Sequence, residues 1–105
     1  MEEIVLTEKS IITLNKNIAI RFEHNFHGGT LILIDTETEN IWYGNKDSVS
    51  LINELKNRDN PQTIGEIYSK IIPHYQEFEP EEVIESLNFL LNNLYENRLL
   101  EILAK

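Results

Sequence analysis

The spacing of apolar residues changes kind midway along the chain. Up to Tyr43 the pattern is that of strands, and from Val49 onward apolar residues recur at helical spacing. A chain with both periods, one after the other, is predicted to be α+β, with helices gathered on one sheet. Ile18, Ile20 and Phe22 alternate with Ala19, Arg21 and Glu23, the period of a half-buried strand. Gly28-Gly29 marks a turn after it. Thr30 to Asp35 is apolar on both faces, short and branched, which suits a central strand. Asp35 to Asn40 is a polar turn, and Ile41, Trp42 and Tyr43 form a third strand that Gly44-Asn45 ends. Short connections make the three an antiparallel meander. Ile4 to Leu6 and Ile11 to Leu14 read as an additional strand or hairpin, or as part of a flexible arm over residues 1–15.

Three helices are predicted in the second half. Asp47 or Ser48 is the cap of the first, which carries Val49, Leu51, Ile52 and Leu55 and breaks at Asn57 to Pro61. Thr63-Ile64-Gly65-Glu66 is a capping box for the second. Behind it Ile64, Ile67, Tyr68, Ile71 and Ile72 make an apolar stripe. Pro80 takes a first helical position, where its missing amide costs nothing, and Glu81 and Glu82 favour the positive end of the helix dipole. This last helix covers about 80–97, with Val83, Leu87, Leu90, Leu91 and Leu94 as its buried stripe. Phe89 lies off the stripe, on a face with Glu82, Ser86 and Asn93. Leu99 to Leu103 is a short strand or a helical tail.

Composition narrows the chemistry. The 105 residues suit one domain, and leave little room for both a core and a deep catalytic cleft. There is no cysteine, which removes disulfides, thiolate zinc sites and thiol catalysis. A secreted domain of this size is usually stapled, so a cytoplasmic location is expected, with no membrane association. Glu2 and Glu3 stand where a secretory signal wants cations, and no apolar run approaches spanning length. The net charge is −9, and no Lys or Arg occurs between Lys70 and Arg98. Glu77, Glu79, Glu81, Glu82, Glu85 and Glu96 fall in that stretch, which repels nucleic acid and suits a basic or neutral partner.

No catalytic or metal constellation is complete. His24 and His27 fall in a turn without further ligands. His74 reads as a favourable charge at a helix end. Asp35, Glu37 and Glu39 lack the central Gly and distal Glu of a calcium loop. The serines have no nucleophile-elbow context, and no Gly-rich phosphate loop exists. What remains is an edge. The third strand carries no Lys, Pro or bulge signal, so an extended peptide can add there as another strand.

In order and spacing the chain resembles the PqqD-like family, the RiPP recognition elements that bind leader peptides of ribosomally made, post-translationally modified peptides. The resemblance runs from about Ile18 to Leu100. It rests on Ile20-Arg21-Phe22, on the Gly-preceded strand Gly29 to Asp35, and on a third strand entering a helix near Asn45. Further along it rests on Thr63 to Ile67, on Tyr75, and on a Val-x-x-x-Leu-x-x-Leu helix ending in Arg98-Leu99-Leu100. It implies a winged helix-turn-helix-like fold, a three-stranded antiparallel sheet followed by three helices, in a single stand-alone domain over 1–105. It implies a leader peptide added to Asn40, Ile41, Trp42, Tyr43 and Gly44 and lying against the last helix, where Glu82, Glu85, Ser86, Phe89 and Leu90 are the expected contacts. It also implies no catalysis and no cofactor, but delivery of a precursor to a modifying enzyme such as a radical SAM maturase. The acidic last helix departs from the basic groove of many members, so this leader is expected to offer basic or apolar contacts. Two other classes compete: a winged helix-turn-helix DNA-binding regulator, and a regulatory or assembly subunit that binds a folded enzyme.

Overall fold

The computed structural model describes residues 6–26 and 28–104. In chain order it contains β1 (Ile11–Leu14), β2 (Ile18–Glu23), β3 (Thr30–Asp35), β4 (Ile41–Asn45), α1 (Val49–Leu55), β5 (Gln62–Thr63), α2 (Ile64–Ile71), α3 (Pro80–Glu96) and β6 (Leu100–Ala104). The fold is α+β, with three helices and two three-stranded antiparallel sheets, ordered β2-β3-β4 and β5-β1-β6.

The meander is the first of these sheets. Ile20 pairs with Leu33 and Leu33 with Trp42, so these three side chains share one face. Leu31 and Leu33 are buried on that face, as a central strand requires. Ile18 and Phe22 are half-buried, but Ile20 is 39% exposed. The expected in-and-out alternation does not show as burial: β2 is an edge strand, Ala19 to Arg21 are all exposed, and Phe22 and Glu23 are alike half-buried.

The second sheet goes beyond three strands followed by three helices. Ile11–Leu14 is the extra strand, and it sits at the centre of its own sheet. Leu100–Ala104 resolves as a strand, not a helical tail, pairing antiparallel with β1. The two-residue β5 pairs Ile11 with Thr63 and Ile12 with Gln62. Strands thus stand before, between and after the helices. Of the segment Ile4 to Leu6, Ile4 and Val5 lie outside the described residues, and Leu6 is in no strand.

Local chemistry starts and stops the helices. A short 3-10 turn at Lys46–Ser48 precedes α1 and is capped by Asn45, whose Oδ1 accepts the Asp47 amide at 3.0 Å. Ser48 takes the N-cap position of α1, one of the two residues expected there, but makes no side-chain cap bond; the side-chain cap is that of Asn45 on the preceding turn. The Thr63 box forms as expected: Thr63 Oγ1 accepts the Glu66 amide at 3.2 Å, and Glu66 Oε1 accepts the Thr63 amide at 3.1 Å. Those bonds hold the Glu66 carboxyl below its ordinary pKa, the Thr63 amide first. Pro80 opens α3 at its first position, after Glu79.

One core joins both sheets and all helices. It takes Ile12 and Leu14 from β1, Leu31 and Leu33 from β3, Leu51, Ile52 and Leu55 from α1, and Ile67, Leu87 and Leu94 among others from α2 and α3. The buried Thr13 hydroxyl donates to the Leu55 carbonyl at 2.9 Å, which ties β1 to the end of α1. Arg58 donates to the Leu14 carbonyl and pairs with Glu101 at 2.8 Å, closing the side near β6.

Candidate functional site

The third strand of the meander, β4, is the outer member of its sheet, and among the described residues nothing pairs with its other side. The direction of its free groups follows from the ladder. The Asp35 amide donates to the Asn40 carbonyl at 2.9 Å, so the even positions of β4 face β3. By alternation the amides and carbonyls of Ile41 and Tyr43 point away from the sheet. Their side chains stand on the outer face, 53% and 62% exposed.

Trp42 points the other way. Its indole Nε1 donates to Asn93 Oδ1 at 2.7 Å, which joins β4 to α3. Gly44 makes that pose possible. A Cβ at Gly44 would lie 2.5 Å and 2.6 Å from ring carbons of Trp42, and 2.9 Å from Ser48 Oγ. The indole therefore lies over a position that only glycine leaves open. Of Ile41, Trp42 and Tyr43, only Trp42 serves the interior.

The Trp42–Asn93 bond also fixes which side of α3 meets the strand. Leu90, Phe89, Ser86 and Glu82 lie three, four, seven and eleven residues before Asn93, and so share its side of the helix. Phe89 is 76% exposed there, Ser86 and Glu82 are exposed, and Leu90 is half-buried on the border with the core. Leu90 thus belongs less to the buried stripe than Val83, Leu87, Leu91 and Leu94, and its packing is shared between core and rim. Glu85 lies farther around the helix and is exposed.

At the far end of α3 the strand and helix enclose a cleft of about 310 Å³, lined by Asn40, Ile41, Trp42, Glu96, Arg98 and Leu99, among others. Arg98 has a φ of 61°, and its carbonyl accepts the Asn15 side-chain amide at 2.6 Å. Sequence reading placed Asn93 on the Phe89 face but gave it no partner, and named neither Asn97 nor Arg98 as part of this surface. The polar Asn93 in register with Phe89 was the available signal.

A larger groove, about 1530 Å³, opens on the other side of α3, where Tyr68, Asn88 and Tyr95 are among its walls. The Tyr68 hydroxyl donates to Asn88 Oδ1 at 2.7 Å, and burial pushes its pKa up. This groove has mixed charge, touches only the two-residue β5 through Thr63, and is lined by none of the expected peptide contacts.

The other candidate residues make local contacts. Asp35 Oδ1 accepts the amides of Glu37 and Thr38 at 2.9 and 3.2 Å, so that carboxylate closes its own turn. His24 packs edge-on against Phe22, with ring centroids 4.7 Å apart, and His27 lies outside the described residues. His74 is exposed at the end of a 3-10 turn after α2. Among the described residues no three His, Asp or Glu side chains gather as a metal site. No described helix is long and apolar enough to cross a membrane.

No protein-family model matches the chain, and neither a curated protein nor a solved structure is significantly similar to it.

Proposed function

We propose that the chain is a peptide-binding module that takes up an extended segment as a fourth strand on β4. Within that class, its resemblance to the PqqD-like family makes it a RiPP recognition element with a winged-helix-like fold. Its peptide would be the leader of a precursor, and its partner a modifying enzyme such as a radical SAM maturase. The observation that carries the reading is the free β4 edge held against α3 by the Trp42–Asn93 bond. Strand addition needs unpaired main-chain donors and acceptors for affinity and a neighbouring wall for selectivity. Ile41 and Tyr43 supply the first, and the Phe89 side of α3 supplies the second.

The test uses the geometry of the edge. Proline is tolerated on an edge strand where its missing N–H faced solvent, and is not tolerated where the N–H served the ladder. Tyr43→Pro therefore retains the native far-UV spectrum and weakens binding of a leader peptide by about tenfold or more, through one lost main-chain bond and the ring's bulk. Titration of the labelled protein with the precursor encoded beside a maturase moves the amide signals of Ile41 to Asn45. Absence of both binding and shift changes at tens of micromolar peptide overturns the reading.

A further inference from the structure

The strand and the helix of this site have opposite directions, and charge is unevenly spread along them. Asn40, Ile41 and Trp42 flank Glu96 to Leu99 at the end of α3, while Trp42 reaches back to Asn93. β4 therefore runs against the direction of α3. A peptide that pairs antiparallel with β4 runs in the same direction as α3, meeting its first half first and Arg98 last. Antiparallel pairing suits this edge because the parallel ladder, with its slanted bonds, is slightly less stable per residue.

The first half of α3 is where anions collect. Glu79, Glu81, Glu82 and Glu85 are exposed, and among the described residues none has an ion-pair partner; the ion pairs present are Arg21–Glu23, Arg58–Glu101 and Lys70–Glu54. At the other end, the exposed Arg98 sits beside Glu96 on the same cleft, leaving no net demand for a cation there. Phe89 stands between the two ends.

Resting on the strand-addition reading, we infer that the peptide is ordered, with basic residues N-terminal to an apolar β-forming core. The spacing follows from the rises of helix and strand. Glu82 lies eleven residues before Asn93, about 16 Å along the helix, which a strand covers in about five residues. Phe89, four residues before Asn93, corresponds to about two residues of strand. The recognised segment thus carries Lys or Arg about three to five residues before the position opposite Trp42, and an apolar side chain about two residues before it.

Two synthetic peptides of identical composition test the order. One carries a Lys pair before a Val/Ile-rich core, and the other carries it after the same core. Fluorescence anisotropy with the full chain at low salt gives about three- to tenfold tighter binding for the basic-first peptide, the scale of a few exposed ion pairs. High salt removes the difference, and Glu82→Lys with Glu85→Lys inverts it. Equal binding of both peptides, lost in Tyr43→Pro, overturns the charge order and leaves the edge reading in place. Binding of neither peptide at up to hundreds of micromolar overturns the edge reading and the order with it.

Discussion

Trp42, Gly44 and Asn93 act as one unit, because the indole needs both a flat floor and an acceptor for its N–H. Gly44→Ala puts a Cβ within 2.9 Å of the ring and of Ser48 Oγ, so the ring must move. Overpacking of this kind costs about 1–3 kcal/mol. We expect a lowered Tm for Gly44→Ala, and a red-shifted emission from the chain's one tryptophan as the indole enters water. Asn93→Ala removes the acceptor at a cost of about 1 kcal/mol, with a smaller spectral change, since the floor remains. Unchanged emission in Gly44→Ala contradicts the close approach. The role of Trp42 was hidden in the sequence, because Ile41, Trp42 and Tyr43 contain no polar member to mark which side faces in. Gly44 read as a strand end, and its function as a floor depends on a ring two residues away. Asn45 likewise read as a strand end, and its capping of the turn depends on the Asp47 amide two residues on.

At the scale of single elements, α2 is the one whose start was most legible. A capping box is satisfied within four residues, so no distant partner is needed. Thr63→Ala removes the hydroxyl that accepts the Glu66 amide, at a cost of about 1 kcal/mol, or a Tm lowered by roughly 4–8 °C. The sign of the acid dependence follows from the Glu66 carboxyl. Its folded pKa is lowered, so its contribution is present above the unfolded pKa and is lost as pH falls through the folded one. Glu66→Gln keeps a side-chain acceptor without a titrating charge. Between about pH 6 and pH 3 the wild type therefore loses more stability than Glu66→Gln, as urea denaturation at each pH will measure. An equal loss in both removes Glu66 from the acid response. β5 shows the opposite limit of legibility. Two residues carry no periodicity, and Gln62–Thr63 is a strand only because β1 lies alongside. The same holds for β1 and β6, whose pairing brings together Leu14 and Leu100 from opposite ends of the described chain.

Across the whole molecule, the two sheets are hydrogen-bonded separately but share one core. Small domains with a contiguous core unfold in one step. Trp42 reports on the β2-β3-β4 sheet, and far-UV circular dichroism reports on all helices and both sheets. Their denaturation midpoints are expected to coincide. A separate, earlier tryptophan transition means that β4 and its sheet come away before the rest. Leu33→Ala, at a fully buried site, lowers stability by about 2–5 kcal/mol and moves both midpoints together.

What the sequence by itself determined was local. The change of apolar period marked the meander strands and the three helices, though not β5 or β6, because side-chain spacing within one element is a property of that element. Thr63, Glu66 and Pro80 announced two helix starts for the same reason. The lack of cysteine and the run of glutamates between Lys70 and Arg98 set the available chemistry and charge before any folding. Only the tertiary structure decided that β1, β5 and β6 form a second sheet, that Trp42 rather than its neighbours turns inward, and that it meets Asn93 of α3. Each of these depends on which distant surfaces meet, and a hydrogen bond such as Trp42–Asn93, spanning 51 residues of chain, leaves no periodic trace in either segment.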